Sequence, residues 1–122
     1  KMLEIHKKNN AVVTIALVKV EDPTMYGVAR FSSDNPDRLA EFVEKPKLED
    51  APSHFINSGF YIMEPEVLDY IKPGFCMFEK EVFPKLAAEG KLFCFKSDDQ
   101  WFDTGTMERY EKAIMEWEDI KF

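Results

Sequence analysis

The run AVVTIALVKV, residues 11–20, decides the fold expected of this 122-residue chain. It is apolar and rich in β-branched residues along nearly its whole length, which is typical of a strand covered on both faces. We therefore predict a central strand here. Residues 1–10, just before it, have the apolar spacing of a helix that stops at Asn9-Asn10, and they carry no initiator methionine. We expect the chain to be part of a larger domain.

Composition and charge exclude several classes of protein. The formal net charge is -7, from 16 Lys+Arg and 23 Asp+Glu, so a surface that binds the phosphates of nucleic acid is not expected. No apolar run approaches the roughly 20 residues that a membrane span needs. Cys76 and Cys94 stand in apolar surroundings without metal-ligand spacing, which is typical of reduced thiols and indicates a cytoplasmic protein.

Alternation of apolar residues and turn residues predicts the other elements. Four further strands are expected, at residues 26–31, 39–44, 55–63 and 92–95. Helices are expected from Pro65, over 78–89 and after a capping Thr106, and Pro84 favours a split in the second of these. The pattern predicts an α/β fold with a mixed sheet of five or six strands and helices at both faces.

The second and third strands read as a hairpin that ends at FVEKP, residues 42–46, because Pro46 stops the strand. If the chain bends there, Glu44 and Lys45 can reach one small ligand. A carboxylate accepts hydrogen bonds from vicinal sugar hydroxyls, and an ammonium group neutralises a phosphate. The alternative is an ordinary solvated ion pair before a turn.

Three other residues each have two interpretations. Gly27 either lets a ligand approach the backbone closely or eases a turn or bulge. Asn57 must satisfy both ends of its amide, through the backbone or through a ligand. Asp103 lies just before a helix N-terminus, where its carboxylate either interacts with the helix dipole or holds a hard cation. Position alone does not decide between these alternatives.

Four motifs follow one another along nearly the whole chain: YGV at 26–28, FVEKP at 42–46, INSGFY at 56–61 and WFDTGT at 101–106. In order and spacing they resemble the sugar-1-phosphate nucleotidylyltransferase family. Segments 64–71 and 78–86 look most like its mannose-1-phosphate guanylyltransferase branch. The resemblance implies a Rossmann-like nucleotide-diphospho-sugar transferase fold.

The resemblance also implies roles for the residues at the end of the hairpin. Tyr26 and Gly27 match a loop whose backbone meets a sugar hydroxyl. Glu44 matches the carboxylate that holds sugar hydroxyls, and Lys45 matches the catalytic ammonium set against the sugar phosphate. These four residues are expected to bind the substrate.

The later motifs imply the rest of the site. Asn57 and Gly59 match the strand that closes the sugar pocket. Asp103 matches a catalytic carboxylate that binds Mg2+, and Trp101 and Gly105 shape its loop. The cofactor implied is therefore magnesium, with Asp103 as its ligand in this chain.

The implied reaction is attack by a sugar-1-phosphate on the α-phosphate of a nucleoside triphosphate such as GTP, which releases pyrophosphate and leaves a nucleotide sugar. The family's N-terminal half, with its Gly-rich triphosphate loop, has no counterpart among the dispersed glycines here. Residues 1–122 are thus expected to be the C-terminal, sugar-phosphate-binding part of the domain, inactive alone. The alternatives are a regulatory module that senses a nucleotide sugar, or a glucose-1-phosphate uridylyl- or thymidylyltransferase.

A detached half of a domain exposes a sheet edge. We expect the apolar strand at residues 11–20 to form that edge, because an unpaired apolar strand invites pairing with a second chain. Self-association as a homo-oligomer, or domain swapping, is the predicted consequence.

Overall fold

The computed structural model describes residues 1–119, so residues 120–122 of the predicted domain piece lie outside the described part. Its helices are α1 (Met2–Lys8), α2 (Phe83–Ala88) and α3 (Met107–Glu116). Its strands are β1 (Val13–Lys19), β2 (Gly27–Phe31), β3 (Leu39–Glu44), β4 (Phe55–Met63) and β5 (Leu92–Ser97). Every predicted strand is therefore present, with ends shifted by about two residues at most, and α1 and α3 match the helices predicted before Asn9 and after Thr106.

Within the described residues the strands form one sheet in the order β3-β2-β4-β1-β5. β1 runs parallel to β5 and antiparallel to β4, so the sheet is mixed, as predicted. The prediction of a central strand is confirmed, since β1 lies between two neighbours. The expectation that the same strand forms an open edge is wrong, because β4 and β5 occupy both of its edges.

The two faces of β1 carry different packing, which explains its unbroken apolar run. Ile15 and Leu17 are fully buried in the cluster that contains Phe83 and Leu86 of α2. Thr14 points to the other face, by the alternation of a strand, and is hydrogen-bonded there to His6 of α1 at 2.7 Å. Helices therefore flank the sheet on both faces, and each large side chain buried between them contributes about 1.5–3 kcal/mol.

The predicted helix at residues 78–89 is divided, as the position of Pro84 favoured. A π-helical turn spans Phe78–Val82, and α2 follows it directly. Pro84 lies in the first turn of α2, where a missing N–H costs no helical hydrogen bond. Pro65 likewise opens a 3-10 helix of about two turns, Pro65–Tyr70.

The hairpin of β2 and β3 is attached to the rest of the sheet at two places. Along its length it shares only one residue pair with β4, between Val28 and Ile56. At its loop end, Arg38 forms an antiparallel bridge with Phe93, and the Cys94 N–H donates to the Asp37 carbonyl at 2.8 Å. These contacts bring the start of β3 against β5.

Helix α3 is capped as predicted, since Thr106 Oγ1 accepts a hydrogen bond from the Arg109 N–H at 3.3 Å. Its apolar face, however, is not buried in the described residues. No residue of α3 is buried, and Ile114 is 63% exposed. No helix within residues 1–119 is long and apolar enough to cross a membrane.

Candidate functional site

Gly27 and Glu44 face each other where the hairpin ends. They are paired across β2 and β3, and a Cβ atom added to Gly27 would lie 3.2 Å from Oε2 of Glu44. Because Gly27 has no side chain, the carboxylate of Glu44 can lie over the backbone of β2. Glu44 itself is exposed.

Lys45 bends the chain directly after β3. Its φ is 43°, a left-handed conformation that is uncommon for a residue with a side chain and unfavourable before proline. The Lys45 N–H donates to the Tyr26 carbonyl at 2.9 Å, and the following Pro46 is buried. The bend interrupts the strand alternation that would send Glu44 and Lys45 to opposite faces.

Strand β4 carries a bulge at its centre. Ile15 pairs with Tyr61, but Leu17 pairs with Asn57, so residues 58–60 stand opposite Ala16 alone. Gly59 makes this possible with a φ of 84°, which only glycine adopts readily. The hydroxyl of Ser58 donates to the Ala16 carbonyl at 2.8 Å and so satisfies a backbone group that the ladder leaves unpaired.

The side-chain amide of Asn57 is bonded inside this bulge. Its Oδ1 accepts the Gly59 N–H at 2.8 Å, and its Nδ2 donates to the Tyr61 hydroxyl at 2.9 Å. Burial raises the pKa of Tyr61, so the phenol stays neutral at physiological pH. One backbone contact and one side-chain contact within β4 thus engage both ends of the Asn57 amide, and its role toward a sugar stays a prediction.

Trp101 joins the bulge to the hairpin. Its indole Nε1–H donates to the Ser58 carbonyl at 3.1 Å. Its ring meets the Tyr26 ring edge to face, with centroids 6.1 Å apart. Both rings pack against a small buried cluster of Val18, Val28 and Ile56. One aromatic residue therefore brings the charged end of the hairpin against the bulge.

Asp103 follows Trp101 by two residues and is fixed by its own loop and helix. Its Oδ1 accepts the Gly105 N–H at 2.8 Å, and its Oδ2 accepts a guanidinium N–H of Arg109 at 2.5 Å. A Cβ atom on Gly105 would lie 3.0 Å from Oδ1, so a side chain there would crowd the carboxylate. The carboxylate is bonded to these two residues rather than to the hairpin.

The donor set can be tested against the magnesium ion that the family resemblance implies. Among the residues described, no three His, Cys, Asp or Glu side chains come together to hold a metal. Magnesium takes only one or two protein carboxylates and keeps several waters, so Asp103 fits as a single ligand. Arg109, however, already occupies Oδ2.

Two residues that form hydrogen bonds in the candidate site, Ser58 and Arg109, were not expected from the sequence. Ser58 could have been suspected, because a small polar residue beside glycine in an apolar strand is a sign of a bulge. Arg109 carried no such signal, since its pairing with Asp103 crosses a loop-to-helix boundary. A cavity of about 680 Å³ between β3 and α2 is lined by none of the predicted site residues.

The mixed sheet with helices on both faces places the chain in the Rossmann-like α/β class. An apo UDP-glucose pyrophosphorylase structure is similar over 92% of this chain and 44% of its own, with a TM-score of 0.69 and 26% identity. UDP-glucose pyrophosphorylase from Acinetobacter baumanii is similar over 93% and 42%, with a TM-score of 0.76 at 20% identity, and so supports the fold alone.

The chain belongs to the nucleotidyl transferase family, whose model matches residues 1–120. It is 38% identical over 104 residues to the mannose-1-phosphate guanylyltransferase catalytic subunit beta of Dictyostelium discoideum. It is 41% identical over 104 residues to a mannose-1-phosphate guanyltransferase of Yarrowia lipolytica. Each alignment covers 85% of this chain but only 28% of the relative. The family expected from the four motifs is confirmed, and both relatives carry the name of the branch that segments 64–71 and 78–86 resemble.

Proposed function

We propose that this chain is the C-terminal, sugar-phosphate-binding part of a cytoplasmic mannose-1-phosphate guanylyltransferase. The complete enzyme transfers a guanylyl group from GTP to mannose-1-phosphate and releases pyrophosphate. One observation carries the proposal beyond family membership: the contact of Tyr26 with Trp101, which brings the hairpin charges to the β4 bulge. A site for a phosphorylated sugar needs such a meeting of a carboxylate, an ammonium group and aromatic walls.

The hairpin supplies the groups that distinguish sugar from phosphate. Glu44 is exposed and accepts hydrogen bonds from sugar hydroxyls, while Lys45 neutralises the phosphate whose oxygen attacks. Gly27 keeps the space beside the carboxylate open. Tyr26 forms the wall next to Trp101.

The other elements close and complete the site. Asn57 and Gly59 hold the bulge that closes the sugar pocket, and Trp101 fixes the bulge to the hairpin. Asp103 is the residue of this chain that would hold a magnesium ion, which when bound neutralises charge on the transferring phosphate. Magnesium sites of this kind use one or two carboxylates, and in this proposal the second is supplied by the N-terminal half of the domain.

An N-terminal nucleotide-binding half completes the domain in this proposal. The chain spans less than a third of the length of the two relatives named above. The uncovered apolar face of α3 supports the proposal, since a helix with a large apolar stripe is stable when that stripe is packed. The chain alone is accordingly inactive.

The test is pyrophosphate release from GTP and mannose-1-phosphate by the protein in its full natural length. Glu44→Gln should raise the KM for mannose-1-phosphate by about tenfold to a hundredfold with the KM for GTP unchanged, because a lost charged hydrogen bond costs about 1.5–3 kcal/mol. Glu49→Gln, an exposed acid in the loop after β3, is the matched control. Equal KM values of the two variants for mannose-1-phosphate would overturn the assignment of Glu44 to the sugar hydroxyls. A second assay, with glucose-1-phosphate and UTP or dTTP as substrates, decides between the guanylyl-, uridylyl- and thymidylyltransferase branches.

A sensor of nucleotide sugars is the second candidate, and the pairing of Asp103 with Arg109 is the observation that favours it. A carboxylate already neutralised by an arginine suits binding without a metal. Calorimetry with GDP-mannose, beside the turnover assay, separates the two functions. Tight binding without turnover in the full-length protein supports the sensor and rejects the enzyme.

A further inference from the structure

Arg109 lies where its charge acts directly on Asp103. The Thr106 cap starts α3, so Arg109 stands in the first turn of the helix and its side chain returns to the preceding loop. One guanidinium nitrogen lies 2.5 Å from Oδ2 of Asp103. Both side chains are partly exposed, at 38% and 28%, so ions from solvent can reach the pair.

The two oxygens of Asp103 are both engaged. Gly105 holds Oδ1 through its backbone N–H, and Arg109 holds Oδ2. A guanidinium group is charged at every accessible pH and cannot be discharged to make way for a second cation. A divalent ion bound to Oδ2 at about 2.1 Å would therefore stand beside a fixed positive charge.

We propose that Arg109 competes with the divalent cation for Asp103 and thereby sets the metal concentration at which the site loads. Arg109 holds the carboxylate in its loop position when no cation is bound, and it leaves Oδ2 when one enters. It is thus a positioning residue that acts through Asp103. The inference rests on the proposed function only in taking Asp103 as a metal ligand.

The experiment titrates Mn2+ into the full-length protein and follows free Mn2+ by electron paramagnetic resonance, which reports binding without turnover. Arg109→Gln should bind Mn2+ about 1.5-fold to fivefold more tightly, the range expected for loss of one partly exposed competing ion pair. Arg30→Gln is the matched control: it also removes one positive charge and one ion pair, with Glu41 at 2.9 Å, but on the hairpin strands. The control should leave the Mn2+ affinity unchanged.

The sign of the change separates competition from a merely structural role. If Arg109 only braced the loop, Arg109→Gln would weaken Mn2+ binding and lower the melting temperature, and this result overturns the proposal. An unchanged affinity overturns it as well.

Asp103→Asn distinguishes failure of the inference from failure of the proposed function. Loss of Mn2+ binding in this variant, with no gain in Arg109→Gln, rejects the competition and keeps Asp103 as a ligand. Unchanged Mn2+ binding in Asp103→Asn rejects both. The double variant, Asp103→Asn with Arg109→Gln, should bind Mn2+ no more tightly than Asp103→Asn alone. Without the Asp103 carboxylate, Arg109 has no metal ligand for which it can compete.

Discussion

Lys45 combines a costly backbone conformation with the charge assigned to the phosphate. A left-handed conformation costs a residue with a side chain about 1–2 kcal/mol, and such residues persist where the surroundings hold them. Here the Tyr26 carbonyl and the buried Pro46 hold it on either side. Strain of this kind at a charged residue is more often found at functional sites than elsewhere.

Replacing Lys45 by glycine should therefore stabilise the protein while it removes the phosphate-binding charge. We expect Lys45→Gly to raise the free energy of unfolding by about 0.5–1 kcal/mol, because relief of strain exceeds the added chain entropy. Lys47→Gly is the control: Lys47 has a φ of -66°, so the same change should cost about 0.5–1 kcal/mol. Urea unfolding measures both, and equal losses in the two variants would contradict the strain.

Cys94 is fully buried in β5, and burial raises the pKa of its thiol to about 12. At pH 8 only about one molecule in ten thousand carries the reactive thiolate. A thiol reagent should therefore modify Cys76, which is partly exposed, and spare Cys94 until the protein unfolds. Mass spectrometry after labelling, with Cys76→Ser as control, tests this; rapid labelling of Cys94 in the folded protein would contradict it.

The raised pKa of Cys94 also determines whether the free energy of unfolding rises or falls with pH. The folded protein keeps the Cys94 proton that the unfolded chain loses above its ordinary pKa of 9.0. Between about pH 9 and 12 the folded state binds more protons, so the free energy of unfolding contributed by this group falls as pH rises. Below pH 9 its contribution is constant. Denaturant titrations of the wild type and Cys94→Ala across this window measure the difference.

At the scale of elements, the bulge in β4 determines where Trp101 can bind. The acceptor of the indole N–H is the Ser58 carbonyl, which belongs to the three bulge residues 58–60 that stand opposite Ala16. The bulge in turn needs the Ser58 hydroxyl for the Ala16 carbonyl. One local irregularity thus connects the core strand to the wall of the candidate site.

Ser58→Ala should lower the free energy of unfolding by about 1–2 kcal/mol, because the Ala16 carbonyl loses its partner inside the sheet. Ser33→Ala, at an exposed loop residue, should change it by less than about 0.5 kcal/mol. Indole fluorescence during urea unfolding follows both variants. An equal effect of the two substitutions would mean that the hydroxyl does not support the bulge.

The sequence was sufficient for the elements that depend on local pattern. The apolar run of β1, the capping Thr106 and Pro84 each act within a few residues, so strand, cap and helix break could be predicted. The neighbours of β1 could not, because β5 is more than seventy residues away along the chain and pairing is decided by the whole sheet. The ion pair of Arg109 with Asp103 escaped prediction for a similar reason, since it depends on the exact path of a loop.

At the scale of the whole molecule, α3 is the largest departure from a closed core. Its Ile114 and Tyr110 are 63% and 51% exposed, although their spacing is that of a buried face. Exposed apolar stripes of this kind mark contact surfaces. The self-association predicted from an open β1 edge therefore needs another route, and this helix offers one.

Sedimentation of the 122-residue chain should show a concentration-dependent dimer that Ile114→Glu abolishes, because a charge on the contact face has to be desolvated. Leu68→Glu is the matched control, since Leu68 is a similarly exposed residue, at 66%, outside α3. It should leave the dimer intact. A wild-type chain that stays monomeric at high concentration would contradict this prediction.

The attachment of the β2–β3 hairpin has a mechanical consequence. The hairpin is anchored at its loop end by Arg38 and Phe93, and its one ladder pair with β4 joins Val28 to Ile56. The opposite end, with Glu44, is held by a different kind of contact, the edge-to-face packing of Tyr26 on Trp101. Removing the indole of Trp101 would therefore release this end of the hairpin, while the hydrogen-bonded end beside β5 would keep its place.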